Sequence, residues 1–421
     1  MSRFLFTALF SNDLGLPSRT LPIALELVKR GHEVAFCNPE EAPRKLIAEA
    51  GLRNLEFGPR PIPTVFPPFT QRIWNMDHFC AAYGYQDEDF LRADCEGMKA
   101  VIANYAPDVI VDSWNLSATM AAKALRKPLV SIIQGDMHPS NRGFIWWQEP
   151  LPDIPTAAPV VNRVLTSFGL QTVARTEELH VGDLTLVAGT PETDPIPGAA
   201  GVVYIGPILW QKPDARLPDY VGSLDPKKPV LWVYTGNPRY FEPLVTWGDS
   251  IVVLRACLEA LANEDVQVVL TTGYHDLPAK ASSLPANFHY EPYVPGIAMA
   301  QRSDLMIHHG GHGASLTGPY TGTPAVIIPT FSERESNARR IAALGAADFI
   351  LPTEDAETEK HVSAEELRAK IRRVLYDPSF TTKARGIGDK MRRYGGASQA
   401  ARLIAEFVAR ALPDPSRPWP Q

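Results

Sequence analysis

The sequence predicts an α/β protein made of two Rossmann-like, doubly wound domains that face each other across a cleft. Three observations predict this fold. Short apolar runs alternate with amphipathic helical stretches, this alternation occurs twice, and a stretch rich in proline and charge separates the two halves. Strands that are apolar throughout are typical of parallel sheets covered on both faces by helices. At about 150 residues per domain, 421 residues leave room for two domains or three.

In the first half, continuous apolar runs predict strands and a 3.6-residue apolar period predicts helices. Gly31 ends the first predicted helix, and a Gly135-Asp136 turn follows the last predicted strand. The predicted strands are 3–10, 34–36, 109–111 and 129–133, and the predicted helices start at Leu21 and at Ala118.

Residues 207–228 lack a sustained period, which predicts an interdomain linker, with an ordinary surface loop as the alternative. The alternation restarts directly afterwards. The predicted strands are 230–234, 266–270, 304–307 and 325–328, and the predicted helices are 251–261, 336–344 and 364–375. The predicted organisation is a domain at 1–206, the linker at 207–228, a second domain at 229–390, and a C-terminal helix with a loosely ordered tail at 391–421.

Composition excludes several classes of protein. The 41 basic and 47 acidic residues give a net charge of −6, which argues against a nucleic-acid binder. No apolar run approaches the ~18 residues that span a bilayer, and the N-terminal run is expected to be a buried strand rather than a signal peptide. The four cysteines are scattered without C-x-x-C spacing, so we expect neither a zinc site nor disulfides, and a cytoplasmic location.

The most informative segment is the glycine-rich stretch HHGGHGAS at 308–315. Three glycines in four positions let a ligand approach the backbone closely. If a helix starts near Gly313, its first N–H groups and its positive dipole end suit a diphosphate. His309 and Ser315 could donate further hydrogen bonds to the same oxygens.

Simpler interpretations of this segment stay open. Glycines between a strand and a helix often serve the turn alone, and His308 is expected to be structural. Two nearby histidines without a third ligand do not predict a metal site. The spacing fails both the Rossmann dinucleotide fingerprint and the P-loop pattern, which argues against hydride transfer and ATP hydrolysis.

The chain resembles the family 1 glycosyltransferases, whose signature runs approximately H-G-G-x-G-T, Glu or Thr, G-x-P, apolar residues and Pro, D/E-Q, and N-A. The counterparts here are His309 to Ala314, Thr317, Gly322-Thr323-Pro324, Pro329, Glu333-Arg334 and Asn337-Ala338. Four further segments match in order: RGHEV at 30–34, APDVIVD at 106–112, TGNP at 235–238 and YVP at 293–295.

This resemblance implies a GT-B fold and transfer of a sugar from a nucleoside diphosphate to a small acceptor, with inversion. It places the acceptor in the first domain and the donor in the second. No metal or other cofactor is expected, because the helix terminus can carry the diphosphate charge and the donor half has no D-x-D motif. The residues it assigns to the donor are Thr235, Gly236, Asn237, Tyr293, Val294, His309, Gly310, Gly311, Gly313, Ala314, Ser315, Thr317, Glu333 and Arg334.

Two departures from the signature bear on the donor. Many relatives have a glutamate at the position of Thr317 that binds the ribose of UDP, whereas enzymes that use dTDP-deoxysugars resemble this chain in having threonine. UDP and dTDP both stay open. Arg334 replaces the neutral amide of the D/E-Q pair with a cation that has five donors. Either the sugar is unusual and acidic, or Arg334 pairs with Glu333 or Glu335.

A third departure concerns the catalytic base. The family normally uses a histidine in the loop after the first strand, but residues 11–22 contain none. Our hypothesis is that Asp13 is the base, with a turn or helix-capping role as the alternative. Asp112 matches the position of the family's orienting aspartate, and His138 is the third candidate.

The acceptor site is expected to be apolar. Aromatic residues cluster in the poorly matched parts of the first domain, where core packing is the alternative explanation for some of them. The predicted acceptor-binding residues are Arg19, Trp74, Phe79, Tyr83, Phe144 and Trp146. The amphipathic C-terminal helix is expected to pack back on the first domain, as in the family.

The sequence thus predicts a cytoplasmic glycosyltransferase, a monomer or homodimer, that uses a nucleotide sugar and a small natural-product acceptor. It predicts neither a nucleic-acid partner nor a membrane span. Two other functions stay open on the same fold: a nucleotide-sugar epimerase, and a relative that binds a nucleotide or a partner without turnover. The acceptor, and attack through O, N or C, stay open as well.

Overall fold

The computed structural model describes residues 1–61, 73–198, 201–212, 214–237, 250–278, 283–354 and 360–411. The chain forms two compact units. One comprises Met1–Ile208 together with Tyr394–Gln421, and the other comprises Leu209–Arg393. Each is built on a parallel sheet with helices between successive strands, so the predicted α/β class with two Rossmann-like domains is confirmed.

The first unit contains a seven-stranded sheet in the order β3-β2-β1-β4-β5-β6-β7, and all its pairings are parallel. Its strands are β1 (Arg3–Ala8), β2 (Glu33–Cys37), β3 (Arg53–Asn54), β4 (Val109–Ser113), β5 (Leu129–Ile133), β6 (Leu184–Val187) and β7 (Val202–Tyr204). Its helices are α1 (Gly15–Lys29), α2 (Glu41–Glu49), α3 (Met76–Cys80), α4 (Glu88–Tyr105), α5 (Leu116–Ala124), α6 (Ala158–Ser167) and α13 (Gly396–Ala411).

The second unit contains a six-stranded parallel sheet in the order β10-β9-β8-β11-β12-β13, and a small antiparallel pair. Its strands are β8 (Val230–Tyr234), β9 (Gln267–Thr271), β10 (Phe288–Glu291), β11 (Leu305–His308), β12 (Ala325–Ile327), β13 (Ala347–Phe349), β14 (Thr353–Glu354) and β15 (Lys360–His361). Its helices are α7 (Ser250–Leu261), α8 (Gly296–Arg302), α9 (His312–Thr321), α10 (Ser332–Ala343), α11 (Ala364–Tyr376) and α12 (Pro378–Met391).

Both sheets reverse their winding direction at one point, between β1 and β4 in the first and between β8 and β11 in the second. At such a point the loops after the two central strands diverge to opposite faces of the sheet. This leaves a crevice at the carboxyl ends of the strands, where open α/β sheets bind ligands. The residues that follow these four strands are therefore the first candidates for a site in each unit.

Several predicted boundaries shift in the structure. Helix α1 starts at Gly15 instead of Leu21, because the polar turn before it already has helical geometry, and Pro22 is accommodated inside the helix. The stretch 207–228 is not all linker. Val221 and Leu224 are buried in the core of the second unit, beside Val230 and other residues of that core. The predicted tail beyond residue 411 lies outside the described residues.

Helix α13 packs on α1 in the first unit. Its apolar side buries Ala401, Ile404 and Val408, as expected for an amphipathic helix with one covered face. The Gly396 N–H donates to the carbonyl of Ile205, and the Arg30 guanidinium contacts Ser398. The last helix of the chain is thus held by the unit that contains the first strand.

A buried ion pair connects α4 to the loop that follows β3. The Arg60 guanidinium donates two hydrogen bonds to the Asp94 carboxylate, at 2.9 and 2.8 Å, and lies between the rings of Phe10 and Phe90. The carboxylate is completely buried. Without Asp94, the Arg60 guanidinium keeps only its longer contact to the Glu40 carboxylate, at 3.7 Å. Removing one partner of a buried pair is costly.

We therefore expect Asp94→Ala to lower the free energy of unfolding of the first unit by about 3–5 kcal/mol. Glu96→Ala is the control on the same helix. Its carboxylate is half exposed and pairs with Lys99, so its loss is expected to cost at most about 1 kcal/mol. Denaturant unfolding of both variants measures the difference, and equal small losses would contradict a structural role for this pair.

Candidate active site

The glycine-rich turn connects β11 to α9 at the switch point of the second sheet. Gly310 has φ +91°, a conformation that favours glycine, and an added Cβ would lie 2.8 Å from the backbone oxygen of Arg334. The Gly310 N–H donates to Nδ1 of His308 at 3.1 Å. Its carbonyl accepts from the Asn337 amide at 3.0 Å and from the Ser315 hydroxyl at 3.2 Å. The turn is therefore fixed on both sides of Gly310.

These contacts define the roles of two predicted residues. His308 is buried and holds the turn, and burial lowers its pKa to about 3. The Ser315 hydroxyl donates its proton to the Gly310 carbonyl, so in this structure it stabilises the turn instead of pointing its donor at a ligand. Asn337 was matched by the signature but given no role, and a contact between residues 27 positions apart leaves no local sequence signal.

The turn leaves the N-terminus of α9 uncovered. The first helical bond of this end runs from the Ser315 N–H to the Gly311 carbonyl, and none of the described side chains caps the helix. Helix geometry leaves the N–H groups of Gly313 and Ala314 without intrahelical partners. A Cβ at Gly313 would meet no atom of the described residues within 4 Å. The positive end of the helix dipole is thus open to an anion.

His309 lies beside this opening. A Cβ added to Gly236 would lie 2.8 Å from Cγ of His309, and one added to Gly311 would lie 2.5 Å from its Nε2. The ring also meets Tyr234 edge to face. Burial, followed by the charge of Arg334, lowers its pKa well below 6.5. No described residue gives its Nδ1 a hydrogen-bond partner. The free protein therefore has a neutral, buried histidine beside the turn, with Nε2 on the side of Gly311 and Nδ1 on the side of Gly236.

Positive charge lies on the other side of the turn. Arg334 is buried on α10 and donates from Nη1 to the Thr330 hydroxyl at 2.6 Å, and Lys360 donates to the Thr330 carbonyl. Asn337 donates to Glu333 at 2.7 Å, so Glu333 is joined through Asn337 to the Gly310 carbonyl. Glu333 and Arg334, which stand where the family signature has D/E-Q, therefore both lie next to the turn.

The remaining donor predictions lie at three strand ends of the same sheet. Thr235 is buried after β8, and Gly236, with φ +89°, makes room for His309; Pro238 lies outside the described residues. Thr317 donates to the Gly313 carbonyl at 2.8 Å and so serves its own helix. Val294 is buried in the core, whereas Tyr293 is half buried and stacks on Tyr274, an aromatic residue that the sequence analysis did not single out.

The three catalytic candidates lie in or after neighbouring strands of the first sheet. Asp13 is half buried after β1, and its Oδ2 accepts from the Gly15 N–H at 3.0 Å, which is the geometry of an Asx turn and matches the turn role given as its alternative. Asp112 lies in β4, one residue before its end, and is buried. It accepts from the Thr7 hydroxyl at 2.6 Å and from the Asn115 N–H at 3.1 Å.

His138, in the loop after β5, accepts on Nδ1 from the Ser140 N–H at 3.2 Å. Its neutral ring therefore carries the proton on Nε2 and can donate there, but cannot act as a base at that atom. Burial lowers its pKa. Arg19, predicted to bind the acceptor, is buried and donates to the Gln134 side chain at 2.9 Å, which connects α1 to the same loop.

Burial raises the pKa of Asp112 to about 7, despite the hydrogen bonds from Thr7 and Asn115. The folded chain holds this proton up to about pH 7, whereas an unfolded aspartate loses it near 3.8. Unfolding releases the proton between these values, so this group makes stability fall as pH rises from about 4 to 7.

We expect Asp112→Asn to remove that contribution, which is at most about 1.4 kcal/mol per pH unit. Urea unfolding of the parent and the variant at pH 5 and pH 8 measures it. The variant should lose less stability than the parent between the two values. The same loss in both proteins would show that Asp112 is ionised throughout this range.

Three of the predicted acceptor residues, Phe79, Tyr83 and Phe144, belong to one aromatic cluster. Trp146 meets Trp147 instead, and Trp74 meets His78. Trp74, Phe79 and Phe144 are only 5%, 9% and 0% exposed, and Tyr83 and Trp146 are half buried. Trp74, Phe79 and Phe144 are therefore core residues. Arg19 is buried as well, so four of the six predicted residues have little exposed surface.

Trp114, which follows β4, links this cluster and was missed. Its ring meets Phe79 edge to face at 5.5 Å and stacks on Phe144 at 6.2 Å. Its backbone has φ +71°, an uncommon conformation for a large side chain and one that is often retained at functional sites. The tryptophan after an apolar strand, two residues from Asp112, was the available signal.

Over the described ranges, no three His, Cys, Asp or Glu side chains are arranged to hold a metal ion. All four cysteines are buried as free thiols. In the part of the chain that the structure describes, no helix is both long and apolar enough to cross a bilayer.

The chain is similar to known glycosyltransferases in sequence and in fold. The family model for the "Erythromycin biosynthesis protein CIII-like, C-terminal domain" matches residues 255–401, which include the glycine-rich turn. The 4'-demethylrebeccamycin synthase of Lentzea aerocolonigenes is 25% identical over 92% of this chain and 96% of its own length. An uncharacterized UDP-glucosyltransferase of Bacillus subtilis is 28% identical over 54% of this chain, and the match spans about half, 52%, of that protein.

Solved structures show the same fold. The calicheamicin glycosyltransferase CalG4 superposes with a TM-score of 0.73 at 20% identity, covering 98% of this chain and 100% of that one. At 20% identity this structural similarity shows the fold alone, and the evidence on activity comes from the sequence matches. Together they support a nucleotide-sugar-dependent glycosyltransferase with the GT-B fold, which is similar to enzymes of antibiotic biosynthesis.

Proposed function

We propose that this enzyme transfers a sugar from a dTDP- or UDP-sugar to a small apolar or aromatic natural product, with inversion at the anomeric carbon. The observation that carries the proposal is the open N-terminus of α9 at Gly313, with the imidazole of His309 beside the same turn at Gly311. A dianionic diphosphate matches both features, because it accepts hydrogen bonds from the helix end and provides a partner for the imidazole.

The second unit would stabilise the leaving group. As the bond from the anomeric carbon to the diphosphate breaks, negative charge increases on the oxygens nearest the N–H groups of Gly313 and Ala314. Donors that are fixed before the reaction stabilise this charge without reorganising. The Gly310 contacts to Asn337 and Ser315 provide that rigidity. Arg334 and Lys360 add positive charge near the sugar end of the donor.

The first unit would hold the acceptor and remove its proton. We propose Asp13 as the base, since it is the half-buried candidate, whereas Asp112 is buried with both oxygens bonded and His138 presents N–H at Nε2. Asp112 then positions the loops after β1 and β4 through Thr7 and Asn115. A phenolic acceptor loses its proton readily enough for a carboxylate base.

Product analysis tests this proposal. The enzyme is incubated with dTDP-glucose or UDP-glucose and a panel of flat aromatic acceptors, and mass spectrometry follows the glycosylated acceptor and free nucleoside diphosphate in equal amounts. With an α-linked donor, NMR of the product should show a β-linkage. An altered nucleotide sugar without transfer would mean epimerisation, and binding without turnover would mean a non-catalytic relative. Both outcomes contradict the proposal.

A further inference from the structure

Tyr274 forms a face-to-face stack with Tyr293, and no signature assigns it a role. The ring centroids are 4.5 Å apart and the planes differ by 9°. Tyr274 is the outer member, since 42% of it is exposed while Tyr293 is half buried. The resemblance assigns Tyr293 to the donor, in the YVP segment that contacts the nucleobase. A planar group therefore already covers one face of Tyr293 in the free protein.

The backbone of Tyr274 is fixed in an uncommon conformation. Its φ is +76°, and Gly273 before it has φ +67°. The Tyr274 N–H donates to the Pro292 carbonyl at 2.7 Å, which ties it to the residue before Tyr293. Inserting a base between the two rings would require them to separate by ~3.4 Å, the thickness of an aromatic ring. The backbone tie opposes such separation, whereas rotation of an exposed side chain is easy.

The outer face of Tyr274 also has a neighbour. The Lys212 ammonium lies 5.3 Å from the Tyr274 ring centroid. The backbone N–H of Lys212 donates to the Tyr293 hydroxyl at 3.4 Å. A cation over the outer face favours the aromatic ring beneath it and leaves that face less suitable for a base. A base could either stack on the outer face of Tyr274 or replace Tyr274 on the face of Tyr293. The Lys212 contact favours replacement.

We propose that Tyr274 occupies the nucleobase position of the free enzyme and is rotated away when the donor binds, so that it sets donor affinity by competing with the base. This inference rests on the proposed function, because it requires a nucleoside diphosphate donor. Tyr274 acts through Tyr293 and is a positioning residue. Its side chain contributes stacking energy to the free enzyme that the base must replace.

Calorimetric titration of the full-length enzyme with dTDP, UDP and inorganic pyrophosphate tests the proposal. Tyr274→Ala removes the competing ring and should tighten binding of dTDP and UDP about two- to tenfold. Affinity for inorganic pyrophosphate, which has no base, should stay unchanged. Tyr274→Phe keeps the ring and should behave like the parent, and Tyr376→Ala, at a 70% exposed tyrosine on α11, is the control for a surface truncation.

Three outcomes would overturn the inference. Weaker binding of dTDP by Tyr274→Ala would show that the base stacks on Tyr274 itself. Unchanged binding would show that the stack and the base do not compete. Equal changes for pyrophosphate and dTDP would indicate a general effect on the site. If the parent enzyme binds none of the nucleotides, the proposed function fails instead, so the two failures are distinguishable.

Discussion

A Gly313→Asp variant should fold at least as stably as the parent and yet lose nucleoside diphosphate binding. A Cβ at this position meets no atom of the described residues within 4 Å, and Gly313 is exposed, so a side chain can extend into solvent. A carboxylate in the first turn of a helix stabilises it, by about 0.3–1 kcal/mol. The same carboxylate occupies the proposed anion site and repels the diphosphate, so affinity should fall by at least about 100-fold.

Two matched variants isolate the charge. Gly313→Asn has nearly the shape of the aspartate without its charge, and Gly313→Ala fills only the Cβ position. Both should fold, and both should bind dTDP or UDP more tightly than Gly313→Asp in calorimetric titrations. Thermal unfolding measured in parallel gives the stabilities. If Gly313→Asp binds nucleotide as the parent does, the helix end is not the diphosphate site.

The Asp13→Asn variant should lose turnover and keep donor affinity. Removing a general base typically lowers kcat by about 10²- to 10⁴-fold. The asparagine oxygen can still accept from the Gly15 N–H, so the start of α1 should be preserved. Steady-state kinetics give kcat, and titration with dTDP or UDP gives the affinity of the second unit. A lower kcat together with an unchanged donor affinity shows that Asp13 acts in catalysis and not in folding.

Asp13→Ala serves as the comparison, because it removes both the carboxylate and the hydrogen bond from the Gly15 N–H. It should lose turnover to the same extent and also lose about 1 kcal/mol of stability. If both variants keep the parental kcat, Asp13 is only a turn residue. The base would then have to be sought among groups that this structure shows as fully bonded, beginning with Asp112.

Much of the fold was predictable because buried parallel strands leave a local signal. The apolar runs at 230–234 and 129–133 became β8 and β5 with the predicted bounds. Helix starts were harder to predict. α1 begins at Gly15, one and a half turns before the apolar period becomes clear, because polar residues in a first turn resemble those of a loop.

The site was predictable only where the backbone itself carries the chemistry. The glycines of the turn predicted a helix start near Gly313, and α9 starts at His312. By contrast, the Asn337 bond to Gly310, the Tyr274 stack on Tyr293 and the place of Trp114 in the aromatic cluster each join residues far apart in the chain. Such contacts depend on packing, and no local pattern reports them.

A crystal structure of the enzyme with bound dTDP or UDP is the most direct test of the central claim. We expect the terminal phosphate within hydrogen-bond distance of the N–H groups of Gly313 and Ala314, with His309 on the same diphosphate. Nucleotide bound elsewhere, with α9 still uncovered at Gly313, would contradict the account of this site.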